Sequence, residues 1–126
     1  MKIKTASGQY FLKFSSRISV PVDFETRAIN EEQLEELLLI AKANGKKYFI
    51  IVSNMGTTMF GSVDNPETYT SLLERHQLIY KLHIDGAYGG FVYPFNNTES
   101  TLNFENPKIS SITIDAHKML QAPYGT

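Results

Sequence analysis

Three short apolar runs set the limits on how this chain can fold. Residues 48–53 read Tyr-Phe-Ile-Ile-Val-Ser, residues 81–85 read Lys-Leu-His-Ile-Asp, and residues 109–114 read Ile-Ser-Ser-Ile-Thr-Ile. β-Branched and aromatic residues in runs this short favour strands over helices. The unbroken apolar succession Phe49, Ile50, Ile51, Val52 predicts a strand covered on both faces, and the run 109–114 predicts a buried strand. Between the first two runs, Asn65-Pro66-Glu67 opens a helix with proline at its favoured first position, and Tyr69, Leu72, Leu73 and His76 line one face of it. Strands alternating with helical patterns require crossover connections, which make neighbouring strands parallel. The expected fold class is therefore α/β, a mainly parallel sheet with flanking helices.

The flanking segments add elements to this frame. Asn30-Glu-Glu-Gln33 has the residue types of a capping box, Leu34, Leu37, Leu38 and Ala41 follow at helical spacing, and Gly45 stops the helix in a left-handed conformation. This helix is expected to pack on the sheet and do no chemistry, and His76 is expected to be a partly exposed structural residue. Residues 17–22 alternate Ile18, Val20 and Val22 with other residues and predict a further strand, which Pro21 confines to an edge or terminal position. Tyr10, Phe11 and Phe14 are spaced to form one face of a short helix. Downstream, Gly86-Ala-Tyr-Gly-Gly90 permits close backbone approach to something flat, and residues 91–95 either pack beneath that loop or face a second subunit. Residues 96–106 are polar and free of glycine, and are expected to cross back over the sheet without a long helix.

Composition narrows the class of function. With 126 residues, 42% hydrophobic and 20% charged, the chain suits one globular domain. A formal net charge of -1 offers no electrostatic argument for nucleic acid or an anionic membrane. The absence of cysteine excludes disulfides, thiolate metal sites and cysteine nucleophiles, and is compatible with a reducing, intracellular compartment. No apolar run approaches the length of a membrane span, and Met1-Lys-Ile-Lys is not followed by a signal-peptide core.

Chemistry concentrates where the apolar runs stop. The third ends on Asp115, His117 and Lys118, the second on Asp85, and the first on Asn54-Met-Gly-Thr57-Thr58. Charges at the end of an apolar strand are costly to desolvate unless they meet partners or a ligand. In open α/β sheets the carboxyl edge is where ligands sit, and a desolvated lysine there can act as an amine nucleophile. Two other readings remain open at this point: Lys118 reaches solvent while His117 caps a loop, or His83, Asp85, Asp115 and His117 bind a divalent metal. Neither G-x-x-x-x-G-K-[ST] nor G-x-G-x-x-G occurs, so a nucleotide-binding reading fails.

Taken together, Gly56-Thr57-Thr58 with Gly61 and Asp64, His83-Ile-Asp85-Gly-Ala87-Tyr-Gly-Gly, and Asp115-Ala-His117-Lys118 resemble the group II pyridoxal-phosphate-dependent decarboxylases of the aminotransferase-like fold type I. The run 115–123 looks most like the archaeal-type tyrosine/aspartate decarboxylases, with the sphingosine-phosphate lyases as a more distant resemblance. The resemblance implies pyridoxal 5'-phosphate as cofactor, a small-molecule L-amino acid as substrate, and release of CO2 and an amine. It implies that Lys118 holds the cofactor aldehyde, Asp85 pairs with the pyridine nitrogen, Ala87 lies against the ring, Thr57 hydrogen-bonds near the ring hydroxyl or the substrate carboxylate, and His117 reaches the phosphate or a substrate group. Catalysis is thereby assigned to Lys118, Asp85 and His117. It also implies a cytoplasmic homodimer of longer chains, with residues 1–126 as the central portion of the large domain. On that reading the family's upstream phosphate-binding segment, mobile catalytic loop and small C-terminal domain lie outside these residues, and the chain alone is inactive. A His-Tyr-Ser-like motif of the family would fall at Gln9-Tyr10-Phe11 with Lys13, placing glutamine where the family stacks histidine on the cofactor. The alternatives that the resemblance leaves are an aldehyde-lyase and a non-catalytic remnant of the fold.

Overall fold

The computed structural model describes residues 17–98 and 101–124 in full, and the backbone of 2–4 and 10–12. Strand β1 (Lys2–Lys4) pairs antiparallel with β2 (Tyr10–Leu12), with Ile3 opposite Phe11. The helix expected around residues 10–14 is thus replaced at 10–12 by a strand, in keeping with the β preference of Tyr-Phe once a pairing partner is present. Gln9 and Lys13 lie outside the described residues.

Residues 17–22 do not form the expected strand. Pro21 has no N–H to give a ladder, and only Val22 makes an isolated bridge, to Ile29. The segment between them is closed by Asp23, whose Oδ1 accepts from the backbone N–H groups of Glu25 and Thr26 and from the Thr26 hydroxyl. A side chain that satisfies its own turn competes with sheet pairing.

The main body follows the predicted order. Helix α1 (Glu31–Ala43) starts at Asn30, whose side chain accepts from Gln33 N at 3.0 Å, and gives way to Gly45 at φ +80°. Strand β3 (Tyr48–Asn54) leads through a loop into α2 (Pro66–Arg75), capped by Asn65 Oδ1 on Glu67 N. Strand β4 (Ile79–Asp85), a short helix α3 (Tyr93–Asn96) and strand β5 (Ile109–Thr113) complete it. The sheet order is β3-β4-β5, all parallel, with an irregularity beside Leu82 and His83.

Both long helices and the β4–β5 connection lie on one face of this sheet. Leu34, Leu38, Tyr69, Leu72, Leu73 and Leu78 form one cluster against Phe49, Ile51 and Tyr80. Met55, Leu82, Ile84, Leu102 and Ile109 form a second, joined by Tyr93 and Ile112. His76 ties α2 to α1 through Glu35, which also receives Arg75. Among the described residues, none of the elements packs on the other face. Ile50 is 55% and Ile79 59% exposed, with Tyr48 and Val52 beside them. The expectation of a β3 covered on both faces is therefore corrected: alternate residues are covered, because α1 and α2 pack on one side only. β5 is likewise not a buried strand. It is an edge strand in which Ile109 alone is fully buried. Among the described residues, no helix is long and apolar enough to cross a membrane.

Candidate functional site

The parallel register brings the three strand ends level. Asn54 pairs with Asp85, and Asp85 with Thr113. The ladder continues past them, Met55 N donating to Asp85 O at 2.8 Å and Gly86 N to Thr113 O at 2.9 Å. The three loops that leave this edge carry Thr57, Ala87, and His117 with Lys118. The residues named from the sequence are thus gathered at one edge of one sheet.

Thr57 lies in a tight hairpin. Met55 and Val63 form an antiparallel bridge, and both Gly56 N and Thr57 N donate to Ser62 O. Thr57 Oγ1 is 2.7 Å from Ser62 Oγ and accepts from Ser62 N at 3.1 Å. A hydroxyl has one donor and two acceptor positions, so one remains for a ligand. Ser62 was not singled out from the sequence; its signal is a Ser directly after Gly61, five residues beyond Thr57 in a short loop. Asp64, known from the sequence only as part of a motif, anchors the base of the hairpin by accepting from Asn54 N at 2.8 Å.

Asp85 is half-buried at the middle of the edge, and its Oδ1 accepts from Ala87 N at 3.1 Å. That bond folds the start of the glycine-rich loop back on the strand end. The glycines then serve a contact other than the one expected of them. A Cβ on Gly89 would lie 2.3 Å from Met55 O, and one on Gly56 2.9 Å from Gly89 Cα. A Cβ on Gly90 would lie 2.6 Å from Gly86 O and 3.0 Å from Ile114 Cγ1. The close approach is between the loops themselves, and it locks the three of them together.

Lys118 belongs to a turn a few residues beyond the end of β5. Its Nζ is 2.8 Å from Asp115 Oδ2. The hydrogen bond from Lys118 holds the Asp115 carboxyl below the usual carboxylate range. His117 packs on Tyr124, ring centroids 4.8 Å apart. The amine is accessible, with 37% of its side chain exposed, and rests on a carboxylate of its own turn.

The four residues of the metal alternative are each turned to a different neighbour. His83 Nδ1 is 2.8 Å from Ser111 Oγ, and its Nε2 is 3.3 Å from Thr113 Oγ1. Asp85 is turned to Ala87 N, Asp115 to Lys118, and His117 to Tyr124. Among the described residues no three metal-binding side chains converge. A shallow, mostly apolar cleft of ≈ 200 Å³ opens beside the site, lined by Gly56, Val63, Tyr88, Tyr93 and Met119 among others. Thr57, Ala87 and Lys118 are chain neighbours of these residues and do not line the cleft themselves. The polar groups carried by these three loops, rather than the cleft, make up the candidate site.

Comparison with known proteins gives the arrangement a family. Residues 7–126 match the family model described as the pyridoxal-dependent decarboxylase conserved domain. A tryptophan decarboxylase of Clostridium sporogenes is 58% identical over 109 residues, covering 86% of this chain and 26% of that protein. A probable L-tyrosine/L-aspartate decarboxylase of Methanocella arvoryzae is 40% identical over 97 residues, covering 73% of this chain and 25% of that protein. The crystal structure of mouse CSAD superposes with a TM-score of 0.64 at 30% identity, covering 82% of this chain and 21% of that one. The chain thus spans about a quarter of the length of the curated relatives it matches.

Proposed function

Because this chain belongs to the pyridoxal-dependent decarboxylase family, we propose that it forms the central part of the large domain of an enzyme that decarboxylates an L-amino acid. The observation that carries this reading is the level edge at Asn54, Asp85 and Thr113, from which Thr57, Ala87, His117 and Lys118 all extend. The 58% identity to a tryptophan decarboxylase makes L-tryptophan the first substrate to test, with L-tyrosine and L-aspartate next. Relatives at 58% and 40% identity are both named as decarboxylases, which favours this reaction over an aldehyde-lyase.

The residues present fit pyridoxal phosphate. When bound, the cofactor supplies a sink for the electron pair left on Cα when CO2 departs. Lys118 would hold its aldehyde carbon through the amine that now rests on Asp115. Asp85 would pair with the ring nitrogen; the Ala87 N–H already orients its carboxylate, and such orientation lowers the cost of binding. The Ala87 methyl would lie against the ring, the remaining hydrogen-bonding position of the Thr57 hydroxyl would face the ring hydroxyl or the substrate carboxylate, and His117 would reach the phosphate or a substrate group. Catalysis is assigned to Lys118, Asp85 and His117, in a homodimer of longer chains acting in the cytoplasm.

The test uses the full-length protein. Purified enzyme should release CO2 from one of the three amino acids, and its bound cofactor should absorb in the visible range. Lys118→Ala should remove both the CO2 release and that absorbance. Undiminished turnover in Lys118→Ala would overturn the assignment.

A further inference from the structure

Asp64 lies just past the 55–63 hairpin, and one of its carboxylate oxygens gathers three donors. Oδ2 accepts from the backbone N–H of Asn54 at 2.8 Å, from Asn54 Nδ2 at 3.0 Å and from the Tyr69 hydroxyl at 2.9 Å. The main chain closes the same junction, Asp64 N donating to Asn54 O at 2.9 Å. Tyr69 is 2% exposed on α2. Its hydroxyl is pushed well above the usual phenol range by burial first and by the Asp64 charge second, so it remains a donor. A single oxygen therefore joins the end of β3, the exit of the hairpin and a core helix. Hydrogen bonds to a charged acceptor are stronger than neutral ones, and three on one atom fix its place.

The hairpin that Asp64 closes carries Thr57 at its other end, clipped to Ser62. Gly56 of the same hairpin sits against Gly89 of the neighbouring loop with no room for a Cβ. A hairpin pinned at its base and pressed against a second loop has little freedom to tilt. We propose that Asp64 is a positioning residue for Thr57: it sets the height at which the Thr57 hydroxyl stands over the carboxyl edge, without itself touching cofactor or substrate. This rests on the decarboxylase reading above and goes beyond it, since that reading gives Asp64 no role.

The test is a double-variant cycle in the full-length protein, with two readouts: pyridoxal phosphate affinity from an absorbance titration, and kcat/KM. Asp64→Ala should weaken cofactor binding or lower kcat/KM by about tenfold, the scale of a lost charged hydrogen bond that fixes geometry. Thr57→Ala should shift the same readout, and the double variant should match Thr57→Ala to within about twofold. Asp64→Asn should recover most of the loss, because its amide oxygen still accepts the Asn54 N–H. A residue that serves only the fold would lower the thermal midpoint while its effect multiplied independently with that of Thr57→Ala. That outcome, or a wild-type Asp64→Ala, overturns the proposal. Should Asp64→Ala not fold, Tyr69→Phe removes only the third donor. It should produce a smaller loss that vanishes in the Thr57→Ala background, and equal loss in both backgrounds, or loss in neither, overturns the proposal. Lys118→Ala is measured alongside. If it keeps its activity, the assignment of Lys118 fails; if the wild type releases no CO2, the decarboxylase reading fails; in either case the cofactor titration still reports on Asp64.

Discussion

Gly89 shows how finely single positions are set at this edge. Its N–H donates to Met55 O at 3.1 Å, and a Cβ would lie 2.3 Å from that same oxygen. Both neighbours are backbone, so no side chain can rotate away. Gly89→Ala should destabilise the protein by about 2 kcal/mol or more. Gly61→Ala should cost only about 1 kcal/mol, since that position is strained by φ +63° but has open space around it. Denaturant midpoints of the two variants would rank them, and the opposite order would remove loop packing as the reason for the glycines. The cluster of glycines was legible in the sequence as a close approach, but its partner was not. A contact between two loops leaves no periodicity to read. Asp115 differs, because its partner Lys118 lies three residues on in the same turn. Its folded-state pKa lies below the ordinary value because Lys118 hydrogen-bonds to it, so the stability it contributes is present above the ordinary carboxylate pKa of about 3.9 and is lost as pH falls through the folded value. The stability difference between wild type and Asp115→Asn should therefore hold steady through neutral pH and close on the acid side. A difference that widened with acid would show that the pair does not form.

Elements whose signals are local were legible; those that depend on what packs against them were not. Helix α1 was marked by its cap and α2 by proline at its first position, and both helices are capped: Asn30 Oδ1 accepts Gln33 N, and Asn65 Oδ1 accepts Glu67 N, each at 3.0 Å. Asn30→Ala should cost about 1 kcal/mol through the lost cap. Thermal unfolding of that variant measures it, and an unchanged midpoint would mean that α1 is held by packing alone. Strands β3 and β4 were legible from their apolar runs, and so was the placing of Asp85 at the end of one and of Thr57 just beyond the end of the other. The covering of β3 on both faces was misread, because an unbroken apolar run states only that both faces are apolar and not which of them is covered. Residues 17–22 were misread for a different reason. The alternation of Ile18, Val20 and Val22 is a strand signal, but Asp23 closes a turn immediately after it, and Pro21 has no N–H to offer.

At the scale of the whole molecule, a parallel sheet whose helices, among the described residues, lie on one side only is an unusual object. Parallel sheets occur almost entirely with both faces covered. Here α1, α2 and the β4–β5 connection occupy one face, while Tyr48, Ile50, Val52 and Ile79 stand exposed on the other. These four are neighbours across the β3–β4 register, where Tyr48 pairs with Ile79 and Ile50 with Lys81, so they form one patch. Among the described residues the outer edges of β3 and β5 have no strand paired to them, and unpaired backbone groups there add a second route to association. The 126-residue chain on its own should therefore self-associate, burying this patch against another copy. Sedimentation at micromolar concentrations should show dimers or larger species. Ile50→Lys with Ile79→Lys places charge at the centre of the patch and leaves the helical face untouched. It should move the chain toward monomer with its far-ultraviolet circular dichroism unchanged. A wild-type chain that stays monomeric throughout that range would show that the open face does not drive association. Association unaffected by the lysines would shift the cause to the edges of β3 and β5.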